Sequence, residues 1–212
     1  MFFFDFHTHQ FSTENGLINV IFGLEEIPHN KLFSIGLHPW FLNQVNVENF
    51  KLKIESIAQN KHFIGIGECG LDKLSQTDFQ QQLSAFEFQI QIAEQINKPL
   101  IIHCVKAFDE LMMLKKTKNP KQKWIIHGFM KNEKLAESLI KQGFYISLPY
   151  KILQSESRLL SLLSVIPIEK LFLESDDDKN ANMPHFYTIV AQKLGIDLQK
   201  LADLIQQNFK LL

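Results

Sequence analysis

Phe2-Phe3-Phe4-Asp5-Phe6-His7-Thr8-His9 decides how the rest of the chain is read. Aromatic side chains favour the pleated surface of a strand, so residues 2–6 predict one. Successive side chains of a strand alternate faces. His7 and His9 therefore point the same way, as half of a metal site would require. The same pairing of an apolar strand with a ligand-type residue at its C-terminal end recurs along the chain. Residues 32–36 lead to His38, 62–67 to Glu68, 100–102 to His103, 124–126 to His127, and 171–173 to Glu174 and Asp176.

Between these strands lie segments with helical spacing. Val47 opens one over 47–59. Thr77-Asp78-Phe79-Gln80 has capping-box form with Thr77 as N-cap, and Phe79, Leu83, Phe86, Ile90 and Ala93 follow at three- and four-residue steps. Helices are also expected over 107–116, 133–142 (capped by Asn132 and stopped by Gly143), 155–165, 183–194 and 198–211. With 17–22 and 144–148, eight strands alternate with helices, which argues for a parallel sheet. Ligand types gathered at strand C-termini argue for a (β/α)8-like barrel, read as one domain over 1–212. Residues 10–16 are too few for a crossover helix, so the helix after the first strand is expected to be missing. If His7 and His9 face the lumen, Phe2, Phe4 and Phe6 face outward. The C-terminal helix or a partner subunit is then expected to cover them.

The chain has 212 residues, 45% hydrophobic and 21% charged, with a net charge of −1. That is ample for one folded core and too balanced to draw the whole molecule onto DNA or a membrane by charge alone. No apolar run is long enough to span a bilayer. Asp5 interrupts the apolar start and no basic segment precedes it, so no signal peptide is expected. Two cysteines, Cys69 and Cys104, form no disulfide framework. A cytoplasmic protein, monomer or small homo-oligomer, is expected.

His7, His9, Glu68, His103, His127 and Asp176 are the candidate metal ligands. Four imidazoles and two carboxylates suit one or two divalent ions, with zinc, manganese and magnesium all compatible. One histidine at a strand end is most simply an isolated polar residue; the recurrence is what argues for a site. Asp5 and Glu174, one step deeper, are expected either to orient ligands or to be buried, hydrogen-bonded carboxylates. Cys69 and Cys104 should point to the opposite face. His29, His62 and His185 read as surface residues. The dense lysines at 115–123 fall on the face opposite the metals. Lys73, Lys106, Lys131, Lys151 and Lys179 each follow a strand on the metal face and could hold phosphate oxygens. His38 could donate to a phosphate, while Trp40 is expected to pack against neighbouring loops rather than stack on a base.

Asp5-Phe6-His7-Thr8-His9, Gly36-Leu37-His38-Pro39, Gly67-Glu68-Cys69-Gly70-Leu71-Asp72, Pro99-Leu100-Ile101-Ile102-His103, Ile126-His127-Gly128-Phe129 and Leu173-Glu174-Ser175-Asp176 resemble, in order, the signatures of the TatD-type metal-dependent deoxyribonucleases and related hydrolases. The resemblance implies a distorted TIM barrel with up to two divalent metals. Glu68 would bridge them, His7, His9 and Asp176 would serve one, and His103 and His127 the other. The arginine common after the fourth of these signatures is absent, with Lys106 the nearest cation. The implied reaction is phosphodiester hydrolysis of DNA by metal-activated water, with Asp176 and Glu68 catalytic and His38, Lys106, Lys73 and Lys131 on the substrate. A metal-dependent amide or ester hydrolase acting on a small substrate is the alternative. A degenerate barrel kept for protein binding is a third reading, against which the full ligand set speaks.

Overall fold

The computed structural model describes residues Met1–Leu212. It contains eight strands: β1 (Asp5–Thr8), β2 (Gly16–Ile21), β3 (Phe33–Gly36), β4 (Phe63–Asp72), β5 (Leu100–Val105), β6 (Trp124–Ile126), β7 (Tyr145–Pro149) and β8 (Leu171–Glu174). Seven α-helices accompany them: α1 (Val47–Ile57), α2 (Phe79–Ile96), α3 (Phe108–Lys118), α4 (Glu133–Lys141), α5 (Glu156–Leu163), α6 (Met183–Leu194) and α7 (Leu198–Lys210). The strands form one sheet in sequence order, the TIM-type (β/α) class. Helices are missing from two crossovers, after β1 as expected and also after β2, where residues 22–32 form turns. β1 is only four residues long, so seven residues of extended chain suffice to return to its start. Asn15 O accepts from Asp5 N at 2.9 Å, which sets β2 beginning level with the first residue of β1.

By contact, the chain divides into two compact units, Ile18–Ile125 and the combination of Met1–Leu17 with Ile126–Leu212. In the first, β2, β3, β4 and β5 pair in parallel. β4 runs five residues past the expected end at Gly67, with a register shift between Ile66 and Cys69, and pairs Gly70 with His103. Gly70 has φ +130°, and a Cβ there would sit 2.2 Å from His103 O. Only glycine fits. Helix α2 is capped by Asp78, whose carboxylate accepts from Gln81 N, and not by Thr77. A charged acceptor at the helix start is favoured by the dipole, which moves the helix one residue on from the capping box read in the sequence.

The inner face of α2 carries two buried amides among its apolar residues. Gln89 accepts from Leu37 N (2.7 Å) and donates to Leu37 O (3.2 Å). Gln82 accepts from Asp72 N (2.8 Å) and donates to Asp72 O (3.0 Å) and Thr77 O (2.9 Å). The end of β4 and the residue before His38 are thus anchored to one rigid helix.

In the second unit β7 pairs with β8, and β1 lies against the end of β8, where Asp176 N donates to His7 O (2.9 Å) and His9 N to Asp176 O (3.2 Å). Phe6 is fully buried and stacks on Phe172 with centroids 4.0 Å apart. Phe4 packs on Phe209 of α7 at 4.2 Å. The C-terminal helix therefore covers Phe4, as expected. Phe2 corrects the rest of that expectation: it lies outside the strand, which starts at Asp5, and is 38% exposed. Tyr187 of α6 is buried and donates to Phe4 O at 2.8 Å, and burial drives its phenol far above the usual range. Asn208 ties α7 to the start of β8 through Ile168 O (2.6 Å) and Leu171 O (3.0 Å).

Candidate functional site

Within Ile18–Ile125, Glu68 is the hub. Its Oε1 lies 3.0 Å from His38 Nε2 and 2.9 Å from His103 Nδ1, and its Oε2 accepts from Asn19 Nδ2 at 3.4 Å. His38 Nδ1 accepts from Trp40 N at 3.1 Å. The ring proton then belongs on Nε2, which donates to Glu68. His103 is held from its other side by Asp72, with Nε2 3.0 Å from Oδ2, and the same oxygen accepts the Trp40 indole N–H at 2.6 Å. Burial works against the Asp72 carboxylate, but hydrogen bonds from His103, Trp40 and Leu74 N outweigh it and hold the group down at about 2. The ligand-capable atoms of His38, Glu68 and His103 all lie within 4.8 Å of one another.

In the other unit, His7, His127 and Asp176 form a second group within the same limit. Asp176 Oδ1 is 3.9 Å from both His7 Nε2 and His9 Nε2, and the rings of His7 and His127 are 4.2 Å apart. Two residues past β8, Asp176 has φ +57°. This left-handed conformation is uncommon outside glycine and is held here by the backbone bonds to β1. Lys151 Nζ is 3.5 Å from Asp176 Oδ2. Glu174 Oε1 accepts from Gly128 N at 2.5 Å and is 3.6 Å from His127 Nδ1. Asp5 Oδ1 accepts from Ser175 N at 2.8 Å. Burial pushes Asp5 up to about 7, against the opposing pull of Ser175. Of the two roles weighed for Asp5, its carboxylate takes the structural one, on the backbone.

Each group combines two imidazoles with a carboxylate, a donor set that suits a divalent ion. Two ligands each about 2.0–2.2 Å from one ion can be up to about 4.4 Å apart, so both the 3.0 Å and the 3.9 Å separations fit. Within each unit the neighbours are as follows. His127 falls in with His7 and Asp176, and His38 belongs to the Glu68 cluster instead of standing off as a phosphate donor. Lys73 also departs from expectation, because its Nζ meets Glu110 Oε1 at 2.5 Å and lies over the Phe79 ring. Lys106 and Lys131 are exposed, Lys106 with φ +54°. Cys69 and Cys104 are buried free thiols. His29 and His185 are exposed and His62 half-buried.

Asp72 is not among the sequence candidates, because the apolar alternation stops near Gly67 and hides the rest of β4. It lies four residues after Glu68 on one strand, and the period of two returns it to the same face. Gln82 and Gln89 carried no such signal.

A family model described as "TatD related DNase" matches residues 7–212. The chain is 27% identical over 231 residues to an uncharacterized metal-dependent hydrolase of Buchnera aphidicola subsp. Acyrthosiphon pisum, covering 97% of this chain and 87% of that protein. It is 28% identical over 197 residues to the 3'-5' ssDNA/RNA exonuclease TatD of Shigella flexneri, covering 84% and 75%. The crystal structure of YJJV, a TatD homolog from Escherichia coli, shares the fold with a TM-score of 0.81 at 18% identity, over 97% of this chain and 95% of that one.

Proposed function

The chain belongs to the TatD-related DNase family and is a metal-dependent hydrolase, and on that premise we propose that it hydrolyses phosphodiester bonds in DNA. The observation that carries this reading is the pair of imidazole–carboxylate groups, each with its ligand-capable atoms within 4.8 Å. His7, His9, His127 and Asp176 would hold one divalent ion, and Glu68 with His103 another, with His38 donating to Glu68 from Nε2. Zinc, manganese and magnesium all suit such mixed nitrogen and oxygen donors. A bound divalent ion supplies an acidified water and neutralises charge on the phosphoryl oxygens.

The protein's own groups do the rest. Asp176 is the acceptor for the attacking water's proton. Lys151 lies beside it, 3.5 Å from Oδ2, where its ammonium can meet negative charge developing on the phosphoryl oxygens. Asp72 keeps His103 in register with Glu68. The exposed Lys106 and Lys131 meet phosphates further along the strand as point charges. Two free buried thiols support a reducing compartment, the cytoplasm, and no helix is long and apolar enough to cross a membrane.

Metal analysis of the purified protein, followed by assay of the stripped protein on single-stranded DNA with each cation restored, tests the reading. Cation-dependent release of nucleotides is expected. A metal-loaded protein that leaves DNA intact and opens a small ester or amide overturns it.

A further inference from the structure

Beside the Glu68 cluster is an open cavity of about 420 Å³ lined by Trp40, Asp72, Leu74, Ser75, Gln76 and Val105. Its volume lies in the range of roughly 300–1,000 Å³ common for small-molecule sites. The catalytic reading assigns Asp72 a positioning role and leaves the other five residues without a task. Trp40 is 53% exposed and Leu74 63% exposed, a large apolar area for a loop to leave in water.

The indole of Trp40 is fixed at its polar edge, through Nε1–H to Asp72 Oδ2 at 2.6 Å. Its aromatic neighbours do not stack on it: His38 meets it at 80°, His103 at 75° and Phe41 at 70°. A flat π-surface is thus fixed in orientation and half open to solvent. Two hydrogen bonds lead from it to the cluster, Trp40 to Asp72 and Asp72 to His103, and His103 in turn reaches Glu68 at 2.9 Å. Leu74 and Val105 supply apolar walls, and Ser75 and Gln76 supply groups that can meet a polar edge. Asp72 faces the cavity with both oxygens already accepting from the protein, Oδ1 from Leu74 N at 2.7 Å and Oδ2 from His103 and Trp40.

We propose that this cavity is a nucleobase subsite, in which the base of a nucleotide flanking the cleaved phosphodiester stacks on Trp40 between Leu74 and Val105. It rests on the phosphodiesterase reading for its place in the reaction. A flat, apolar ligand with polar edges, tethered within one nucleotide of a phosphate, matches both the cavity and its distance from the cluster. Stacking of this kind tolerates sequence, because every base has a π-face. The subsite therefore supports processing of single strands without choice of base, and it disfavours paired DNA, whose bases are already stacked.

The test compares metal-loaded wild type with Trp40→Ala and Trp40→Phe on two oligonucleotides, one ordinary and one carrying abasic tetrahydrofuran residues. On the ordinary strand Trp40→Ala should raise KM about 10- to 100-fold, and Trp40→Phe, which keeps a ring but loses the indole N–H, should recover most of it. On the abasic strand the Trp40→Ala penalty should shrink to what Trp40→Phe also shows, the loss of the indole N–H to Asp72. Equal losses on both strands, or no loss on either, overturn the subsite; the first result would make Trp40 only a support for Asp72.

A second measurement separates this proposal from the one it rests on. The chain has two tryptophans, and Trp124 is fully buried, so quenching by an added nucleoside monophosphate reports on Trp40. Saturable quenching in a protein that leaves DNA uncut keeps the subsite and removes the phosphodiesterase reading. Its absence removes the subsite whatever the enzyme cleaves.

Discussion

The two imidazole–carboxylate groups are built by different means. In the Glu68 cluster the side chains hold one another: His38, Glu68, His103, Asp72 and Trp40 are joined by contacts of 2.6–3.0 Å. In the Asp176 group the corresponding separations from His7 and His9 are 3.9 Å, outside hydrogen-bond length, and backbone bonds tie β1 to the end of β8. One cluster is positioned by a side-chain network anchored on a helix, the other by strand pairing that forces Asp176 into a left-handed conformation. The lesson is that similar donor sets can owe their geometry to side chains or to main chain. Substitutions should therefore act differently in the two.

Asp176→Ala should give the largest effect, lowering turnover about 10²–10⁴-fold while Lys151→Ala lowers it no more than about tenfold. Equal losses from the two would deny Asp176 its role in proton transfer. Gly70→Ala and Gly195→Ala compare backbone demands in the two units by urea unfolding. Gly70 combines positive φ with a 2.2 Å clash against His103 O and should cost about 3 kcal/mol. Gly195, with φ +66° and nothing within 4 Å of an added Cβ, should cost about 1 kcal/mol.

Asp72→Asn removes a charged acceptor shared by His103 and Trp40 and should lower kcat/KM about 10- to 100-fold. Asp5→Asn keeps an oxygen for Ser175 N and should cost less. The reverse order would mean that the Asp176 group, too, is set by side chains. Phe2→Ala, at a ring 38% exposed that stacks on Phe4 from outside the strand, should cost about 1 kcal/mol or less. A loss several times larger would show that Phe2 is packed as tightly as Phe4 is under α7.

The same contrast explains what could be read in advance. His7, His9, Glu68, His103, His127 and Asp176 were visible because each follows an apolar run, and burying such runs in a parallel sheet forces their ends to one side. The extents of β4 and β5 were not visible. Past Ile66 and Ile102 the chain turns to Gly, Glu, Cys and His, so hydrophobic alternation stops where the strand does not. That early stop concealed Asp72. The missing helix between β2 and β3 has no local signal, because a short apolar run says nothing about how the chain crosses to the next one.

Apolar periodicity, motif order and ligand types determined by themselves the fold class, the metal-dependent hydrolase reading and most of the candidate donor residues, since each depends on local pattern. Partnership did not. That His38 joins Glu68, that His127 sides with His7 and Asp176, that Lys73 turns to Glu110, and that two buried glutamines of α2 hold the strand ends were decided only by tertiary structure. These depend on distances between residues far apart in the chain, and on buried polar groups needing a partner, which no local pattern encodes.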